Sequence, residues 1–245
     1  MKKDFLSIAD FSRKELEEML VLAIRLKNEY FERGNRPIFK NKVMAMIFQK
    51  PSLRTRVSFD MAMRHFGGDA LYLSPSEIGL GKRESVADVA RVLSGYVDII
   101  MARVFSHSHI LELAEYADIP VINGLSDFNH PCQALTDALT IIECKEKIEG
   151  LNITYVGDGN NMAVSLMHIV TKLGGNFTIA NPEGYAMEPH GIEIAKGFAH
   201  ESGSKLQFLS DPHEAVRDAD VIYTDTWTSM GQEEEAAARE KVFQP

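Results

Sequence analysis

The sequence predicts an α/β protein of two domains, each a parallel β-sheet flanked by helices. Short apolar runs, typical of buried strands, alternate with longer segments whose apolar residues recur every three or four positions, as on one face of a helix. Strands and helices that alternate in this way build parallel sheets with helices on both faces. The alternation restarts after Gly150, so we expect one domain over residues 1–148 and a second over residues 149–245.

The first domain should begin and end with a helix. Ser12 and Glu15 form a capping box that opens the first helix, which we expect to end near Phe31. Residues 74–83, rich in Ser, Gly and Pro, are predicted to form a loop. The predicted strands cover 43–48, 70–73, 97–102 and 120–123, and the other predicted helices cover 53–65, 84–96, 107–116 and 130–147.

The second domain is predicted to be Rossmann-like and incomplete. Its loop 157–161 follows a strand and opens a helix, as in nucleotide-binding sheets. No clear return helix follows the last strand, although Glu233-Glu234-Glu235 indicates a solvated helix start. The predicted strands cover 152–156, 176–180, 205–209 and 221–224, and the predicted helices cover 161–173 and 191–201.

Composition excludes several classes of protein. The net charge of -9 argues against a nucleic-acid binder, which would usually be basic. No apolar run approaches the roughly 20 residues that span a bilayer, and the N-terminus lacks a signal-peptide core. The two cysteines, Cys132 and Cys144, form no C-x-x-C pair, so we expect no disulfide framework and a cytoplasmic protein. The histidines show no metal-ligand spacing with acidic or Cys partners, so we expect no metal.

A cationic loop follows the first predicted strand. Lys50, Arg54 and Arg56 stand around Ser52, a plausible helix N-cap. A helix N-terminus has unpaired N–H groups and a positive dipole end, and Arg matches phosphate oxygens, so the loop predicts an anion site. Arg54 and Arg56 cannot face the same way. We expect one to face a ligand and the other a structural carboxylate, and a surface turn with solvated charges is the alternative.

Polar residues also follow two other strands of the first sheet. Ligands of such sheets bind at the carboxyl ends of the strands. Arg103 ends one strand, and His130 and Gln133 lie one turn apart at a helix start, with Pro131 at the first helical position. They could polarise a carbonyl and bind its attached amine, or His130 could be a cap and Gln133 solvated. The loops expected to meet are 50–56, 103–107 and 125–133.

Two further loops carry candidate residues in the second domain. Gly157-Asp158-Gly159-Asn160-Asn161 hints at a dinucleotide fingerprint, but Met162 stands where the third Gly should be, which makes the match weak. The alternative is a loop whose Asn side chains bind a substrate carboxylate or amine. Asp225 follows the last strand, and it could hold an ammonium group or cap a helix.

In combination and order, these motifs resemble the aspartate/ornithine carbamoyltransferase family along the whole chain. The matching motifs are Ser52-x-Arg54-Thr55-Arg56, Arg103, His130-Pro131-x-Gln133 and Asp225-x-x-x-Ser229-Met230-Gly231, the last of which resembles the motif of ornithine-specific members. The resemblance implies transfer of the carbamoyl group of carbamoyl phosphate to the δ-amine of L-ornithine, which yields L-citrulline and phosphate. It also implies a homotrimer, no cofactor and no covalent intermediate.

The same resemblance implies a role for each motif residue. Carbamoyl phosphate would be bound by Ser52, Leu53, Arg54, Thr55, Arg103, His130 and Gln133. Arg103 and His130 would be the catalytic residues among them. L-Ornithine would be bound by Asn161, Asp225, Ser229 and Met230. Whether the role is biosynthetic or catabolic stays open, since the reaction is reversible.

Three departures from the family pattern carry expectations of their own. Leu53 replaces a common Thr and should be tolerated, because the backbone N–H binds phosphate there. Gly79 replaces Gln or His, which weakens an expected contact with a neighbouring subunit that Lys82 or Arg83 could supply. The family continues past Pro245 to a His-Cys-Leu-Pro motif and a returning helix, so the chain looks truncated, and we expect very low activity and aggregation.

Three alternatives remain at this point. A carbamoyltransferase for another amine acceptor would keep the first domain and change the second. An inactive fragment would bind carbamoyl phosphate without turnover. A nicotinamide-dependent oxidoreductase would use residues 157–161 for its cofactor.

Overall fold

A computed structural model describes residues 2–228 and 233–244. The chain forms two units, one of Met1–Asp10 with Val21–Cys132 and one of Phe11–Leu20 with Gln133–Pro245. Each unit contains one four-stranded parallel sheet with helices against it. The α/β fold class with two parallel sheets is therefore confirmed.

The first sheet has the strand order β2-β1-β3-β4, with every neighbouring pair parallel. Its strands are β1 (Val43–Phe48), β2 (Asp69–Leu73), β3 (Ile99–Arg103) and β4 (Val121–Leu125). The α-helices that precede the second sheet along the chain are α1 (Arg13–Arg33), α2 (Leu53–His65), α3 (Pro75–Ile78), α4 (Val86–Ser94), α5 (His107–Tyr116) and α6 (Pro131–Lys145). Because β1, β3 and β4 are neighbours, the loops at their carboxyl ends share one edge.

Both faces of the first sheet are covered, which explains why its strands are continuous apolar runs. Along β1, Ala45 and Ile47 point into a cluster that includes Ile110 of α5. Met44, Met46 and Phe48, at the alternate positions, pack with Met63 of α2 and with Met101 of β3 on the other face. The period of two in the strand therefore assigns successive residues to opposite layers.

The segment predicted as a loop over 74–83 contains a short helix, α3. Ser74 begins it with a capping box, in which the Ser74 backbone N–H donates to Glu77 Oε2 at 2.8 Å. Pro75 stands at the first helical position, where its missing N–H costs nothing. Gly79 ends the helix with a φ of +53°. The loop prediction was wrong over these residues, although the Ser-x-x-Glu spacing signals a helix start.

The second sheet has the order β7-β6-β5-β8, again parallel throughout. Its strands are β5 (Asn152–Val156), β6 (Asn176–Ala180), β7 (Leu206–Leu209) and β8 (Val221–Tyr223). Its helices after α6 are α7 (Asn161–Lys172), α8 (Pro189–Ser202), α9 (Pro212–Ala215) and α10 (Ala236–Phe243). The strand order reverses at β5, so the loops after β5 and β8 stand at the switch point where such sheets bind ligands.

A short helix follows the last strand, where the sequence showed no clear return helix but did indicate an acidic helix start. The acidic run forms a turn of 3₁₀ helix at Glu233–Glu235, and α10 continues from it to Phe243. The acidic helix start is thereby confirmed. The periodicity missed α10 because its eight residues carry no continuous apolar stripe. Among the helices of the described residues, none is both long and apolar enough to cross a lipid bilayer.

Candidate active site

Three polar loops meet at the carboxyl edge of the first sheet, as the alternation of strands and helices predicted. The backbone N–H of Gln49, just after β1, donates to the carbonyl of Arg103 at 2.8 Å. Val104 N–H donates to the carbonyl of Leu125 at the end of β4 at 2.9 Å, and Asp127 N–H donates to the carbonyl of Phe105, also at 2.9 Å. Backbone hydrogen bonds therefore connect the three loops at their base.

Ser52 is the N-cap of α2, as predicted. Its backbone is extended, and its Oγ accepts from the backbone N–H of Thr55 at 3.4 Å while its hydroxyl donates to Thr55 Oγ1 at 3.1 Å. The first turn of α2 contains no acidic residue. The side chain of Leu53 is 78% exposed, so what Leu53 brings to this helix start is its backbone N–H. The end of α2 thus keeps its attraction for an anion.

The Arg103 guanidinium is buried beside this helix start, with 7% of the residue exposed. Its Nη1 donates to the Thr55 hydroxyl at 3.4 Å, and its buried Nε has no hydrogen-bond partner within the described residues. No carboxylate of the described chain forms an ion pair with it. Burial, and then the positive charge of Arg54, lowers the pKa of Arg103. A buried cation without a counter-ion is costly, so this position is suited to a bound anion.

Arg54 and Arg56 lie in different surroundings, as expected. The structural carboxylate that was expected to pair with one of them is absent from the described residues. The Arg56 guanidinium carbon lies 4.0 Å from the centre of the Tyr72 ring. Tyr72 pairs with Met46 in the sheet, and its ring therefore lies on the layer that α2 covers. The expectation of a carboxylate partner was wrong, because the sheet brings an aromatic face to Arg56 instead. Arg54, whose charge acts on Arg103, is exposed.

His130 stands immediately before α6 and is held as a neutral imidazole. Burial, and then the positive charge of Arg103, lowers the pKa of His130 to about 4. At neutral pH the ring therefore has one N–H donor and one acceptor nitrogen. It adds no further positive charge beside Arg103, and it offers a donor that can polarise a carbonyl.

A buried amide network shapes the turn that leads to His130. Asn123, Ser126 and Asn129 are all nearly fully buried. The Asn123 amide donates to Asn129 Oδ1, and Asn129 N–H donates to Ser126 Oγ at 3.3 Å. Gly124 lies between them because a Cβ there would stand 2.6 Å from Met101 Sδ. These contacts define the course of the chain from β4 to α6, so they decide where His130 stands.

Gln49 is a structural centre of this edge that the motif analysis missed. Its Oε1 accepts from the Phe105 backbone N–H at 2.9 Å, and its Nε2 donates to the carbonyl of Leu80 at 3.0 Å. His109 Nδ1 lies 3.4 Å from the same Oε1. One side chain therefore joins the loop after β1, the loop after β3 and the segment after α3. Its signal in the sequence is a single amide at the end of a fully apolar strand.

In the second unit, Gln133 lies in the first turn of α6 and is not simply solvated. Its Nε2 donates to Asp137 Oδ1 at 2.9 Å, and Asp137 Oδ2 accepts from the hydroxyl of Tyr223 at 3.0 Å. Asp137 and Tyr223 belong to none of the motifs described above. An i,i+4 amide–carboxylate pair is visible in the sequence, but the arrival of Tyr223 from β8 is a tertiary contact.

The loops after β5 and β8 bring Asn160, Asn161 and Asp225 to one edge of the second sheet. Asn160 is the N-cap of α7, where its Oδ1 accepts from the N–H groups of Met162 and Ala163 at 2.9 and 3.1 Å. Its Nδ2 donates to Asp225 Oδ2 at 3.4 Å. Asn161 is the first residue of α7. The sequence assigned binding to Asn161, and the structure adds Asn160 as the neighbour that contacts Asp225.

Asp225 is half-buried, and it has no cationic partner in the part of the chain that the structure describes. Its Oδ1 accepts from the N–H of Thr226 at 2.8 Å. Neither Thr226 nor the next two residues are helical, so in the described segment the carboxylate does not cap a helix. It is placed to accept hydrogen bonds from an ammonium group. Ser229 and Met230, the other two residues assigned to the acceptor, lie outside the described residues.

The glycine-rich turn after β5 packs closely against residues 185–187. Gly159 N–H donates to the carbonyl of Tyr185 at 3.0 Å. A Cβ on Gly159 would lie 2.4 Å from Met187 N and 2.7 Å from the Tyr185 oxygen. The glycine is therefore needed for the close approach of 185–187 rather than for a pyrophosphate. Beside it, Asp158 forms a 2.7 Å ion pair with the buried Arg239 of α10.

The described residues contain no group of three or more His, Cys, Asp or Glu side chains that could hold a metal ion. The first edge presents donors and cations, and the second presents amides and carboxylates.

Two family descriptions match consecutive parts of the chain. "Aspartate/ornithine carbamoyltransferase, carbamoyl-P binding domain" matches residues 3–143. "Aspartate/ornithine carbamoyltransferase, Asp/Orn binding domain" matches residues 149–245. Together the matches account for nearly the whole chain.

Similar proteins carry names that agree with these descriptions. The ornithine carbamoyltransferase of Thermococcus kodakarensis is 54% identical over 245 residues, which are 99% of this chain and 77% of that protein. That of Bacillus subtilis is 51% identical over 243 residues, or 99% of this chain and 75% of its own. The solved ornithine carbamoyltransferase of Pyrococcus furiosus has a TM-score of 0.96 at 52% identity, and covers 99% of this chain and 78% of its own. The anabolic enzyme of Campylobacter jejuni has a TM-score of 0.92 at 40% identity, with shares of 99% and 78%.

Proposed function

The chain belongs to the aspartate/ornithine carbamoyltransferase family, and we propose how its described residues perform the reaction of that family. The reaction transfers the carbamoyl group of carbamoyl phosphate to the δ-amine of L-ornithine and yields L-citrulline and phosphate. Relatives named for this activity are about half identical to the chain. The acceptor of this chain is accordingly ornithine, and the alternatives of another amine or of a nicotinamide cofactor are not favoured.

The observation that carries the proposal is the buried, uncompensated guanidinium of Arg103 at the start of α2. Arg103 and the N-terminus of α2 both favour negative charge, and no described carboxylate supplies it. A phosphate dianion satisfies both at once. Its other partners would be the Ser52 and Thr55 hydroxyls, the backbone N–H of Leu53 and the exposed guanidinium of Arg54.

The carbamoyl group would be held by residues of opposite hydrogen-bonding character. Its oxygen accepts hydrogen bonds, and Arg103 and the neutral His130 are donors. As the amine attacks the carbamoyl carbon, negative charge develops on that oxygen, and donors already in place stabilise it most strongly at this stage. Its NH₂ group needs an acceptor, for which Gln133 is our candidate. The C–O bond to phosphate then breaks, the phosphate leaves with the bonding electron pair, and it takes up the proton that the attacking nitrogen loses.

Ornithine would bind to the second edge through its α-amino acid end. The half-buried carboxylate of Asp225 accepts from an ammonium group, and the Asn161 amide can donate to the substrate carboxylate. Ser229 and Met230 are the other two residues that we propose to bind ornithine. The δ-amine must lose its proton before attack, because its lone pair forms the new C–N bond. Its ordinary pKa is about 10.4, like that of Lys. Positive charge from Arg54 and Arg103 near the donor favours that neutral form.

We further propose a role in arginine biosynthesis, a homotrimer and a cytoplasmic location. The biosynthetic direction is supported by similar proteins whose names contain the word anabolic. A homotrimer is what the family resemblance implies, and the exposed side chains of Val57, Met61 and Leu71 offer apolar surface for it. Within the described residues neither Cys132 nor Cys144 is in a disulfide, which fits a reducing compartment. We expect no nucleic-acid or membrane partner, given the net charge of -9.

The test is a citrulline-formation assay of the purified chain with a panel of acceptors. Ornithine should be carbamoylated, because it has both an α-ammonium group for Asp225 and a side-chain amine that can attack. Putrescine and acetylornithine lack the α-ammonium group, and aspartate lacks the side-chain amine, so all three should be poor acceptors. A preference for any other acceptor contradicts the assignment. Binding of carbamoyl phosphate without turnover would identify a binding fragment instead.

A further inference from the structure

The carboxylate of Asp137 holds two donors that come from different elements of the second unit. The Gln133 amide, one turn earlier on α6, donates to Oδ1 at 2.9 Å, and the Tyr223 hydroxyl, at the end of β8, donates to Oδ2 at 3.0 Å. Both carboxylate oxygens are therefore occupied. Asp137 is half-buried, whereas Gln133 is exposed.

This contact decides which end of the Gln133 amide faces outward. An ionised carboxylate can only accept hydrogen bonds, and of the two ends of an amide only the NH₂ group donates. Gln133 must therefore point its NH₂ group at Asp137. Its carbonyl oxygen then points away from Asp137 and is left to act as an acceptor. Without Asp137 the amide could rotate by half a turn and present a donor at the same place.

Tyr223 holds Asp137 in turn, and the sheet holds Tyr223. Its ring stacks on that of Tyr155, its register partner on β5, with 5.6 Å between centroids and 18° between planes. Burial, and then the charge of Asp137, raises the pKa of Tyr223, so the hydroxyl keeps its proton and remains a donor. Burial raises the pKa of Asp137, the hydrogen bonds from Gln133 and Tyr223 offset only part of that rise, and the charge of Asp225 adds to it.

We propose that Asp137 is a positioning residue for carbamoyl transfer, which aims the carbonyl oxygen of Gln133 at the NH₂ group of the carbamoyl substrate. The inference rests on the proposed function, and specifically on the assignment of Gln133 to that NH₂ group. The other residues assigned to the donor substrate, Arg103 and the helix start at Ser52, supply donors and positive charge. Gln133 fixed in this orientation supplies the acceptor that an NH₂ group requires, and so distinguishes a carbamoyl group from an acetyl group.

The experiment compares two stable analogues of the donor substrate that differ in one group. Phosphonoacetamide keeps the NH₂ group of carbamoyl phosphate, and acetonylphosphonate has a methyl group in its place. In both, a CH₂ group replaces the bridging oxygen. Their dissociation constants are measured by calorimetry for the unmodified chain and for Asp137→Leu, which keeps the approximate volume and removes both acceptor oxygens.

The unmodified chain should prefer phosphonoacetamide, and Asp137→Leu should lose about three- to tenfold of that preference, which is the range of one hydrogen bond. Binding of acetonylphosphonate should stay the same. A purely structural role of Asp137 would weaken both ligands equally, and that outcome overturns the inference. An unchanged preference overturns it as well.

Gln133→Ala separates this inference from the proposed function. If the preference falls in Gln133→Ala and not in Asp137→Leu, Gln133 binds the NH₂ group without help, and only the inference fails. If Gln133→Ala also keeps the preference, the assignment of Gln133 is wrong. Failure of the unmodified chain to bind either phosphonate contradicts the proposed function itself.

A second variant keeps the test decisive if Asp137→Leu does not fold. The double variant Asp137→Asn/Tyr223→Phe changes almost no volume, and its Phe leaves no hydroxyl to hold the Asn amide in one orientation. Gln133 then meets a donor as readily as an acceptor, so the preference for phosphonoacetamide should fall as in Asp137→Leu. Full retention of the preference overturns the inference.

Discussion

Arg103 donates a hydrogen bond to the hydroxyl of Thr55 at 3.4 Å, so a buried guanidinium lies against the first turn of α2. The N-terminus of α2 carries a partial positive charge, which adds to the charge of the Arg103 guanidinium. Folding alone gains little from such a contact. The contact becomes favourable when an anion binds. The charge that binds the anion therefore lowers the stability of the protein when no ligand is present.

Replacing Arg103 by Met should therefore separate activity from stability. We expect Arg103→Met to lower citrulline formation by a factor of about 10³ or more, because phosphate binding and oxyanion stabilisation are both lost. The free energy of unfolding without ligand should rise by about 1 kcal/mol, since an uncompensated buried charge is removed. Steady-state assays and urea unfolding measure the two effects. Arg91→Met is the control, because Arg91 forms an exposed ion pair with Asp88 and should change neither quantity appreciably.

Replacing Asp225 by Asn should affect the acceptor substrate alone. The neutral amide keeps the size of the side chain and loses the charge that attracts an ammonium group. We expect the KM for ornithine to rise by about ten- to a hundredfold, while phosphonoacetamide binds as before. Asp218→Asn, at an exposed position nearby on the chain, is the matched control. Equal weakening of both substrates in Asp225→Asn would argue for a general structural role.

Replacing Gly159 by Ala should destabilise the second unit. The new Cβ would stand 2.4 Å from the backbone nitrogen of Met187, which cannot move without displacing its segment. We expect a loss of about 2–4 kcal/mol in the free energy of unfolding, as for other severe backbone clashes. Gly197→Ala is the control. Gly197 lies within α8 with nothing within 4 Å of a new Cβ, so that change should stabilise the protein by about 0.5–1 kcal/mol.

Stability should fall as the pH drops from about 6.5 towards 4. Burial lowers the pKa of His130 and of His168 to about 4 in the folded chain, from an ordinary value of 6.5. In that interval the unfolded state binds more protons than the folded state, so unfolding becomes easier as protons are added. Well above pH 6.5 both residues are neutral in either state, and the contribution to stability is complete.

Urea unfolding of the chain between pH 4.5 and 7.5 measures this slope. His168→Gln should give a flatter dependence, since one of the histidines whose pKa is lowered by burial is gone, even if the variant is less stable overall. His213→Gln, at an exposed position on α9, should leave the slope as it is. A slope that His168→Gln does not change would contradict the assignment to His168.

Much of the molecule follows from the sequence because the signals are local. The period of two in β1, the Ser52 cap and the strand–helix alternation together predict the parallel sheets and the edge at which Arg103 and His130 arrive. Local signals also predicted the acidic start before α10. The α3 helix forms where the Ser, Gly and Pro content predicts a loop, because its capping box and Pro75 at the first helical position favour a helix start.

Other features depend on contacts between residues far apart in the chain, and no local pattern encodes them. Tyr72 reaches Arg56 because β2 lies beside β1, and Tyr223 reaches Asp137 because β8 lies beside β5. The sequence by itself determined which residues carry charge and which strand each one follows. Only the tertiary structure decided their partners, their burial and thus the neutral state of His130, because desolvation depends on everything packed around a group.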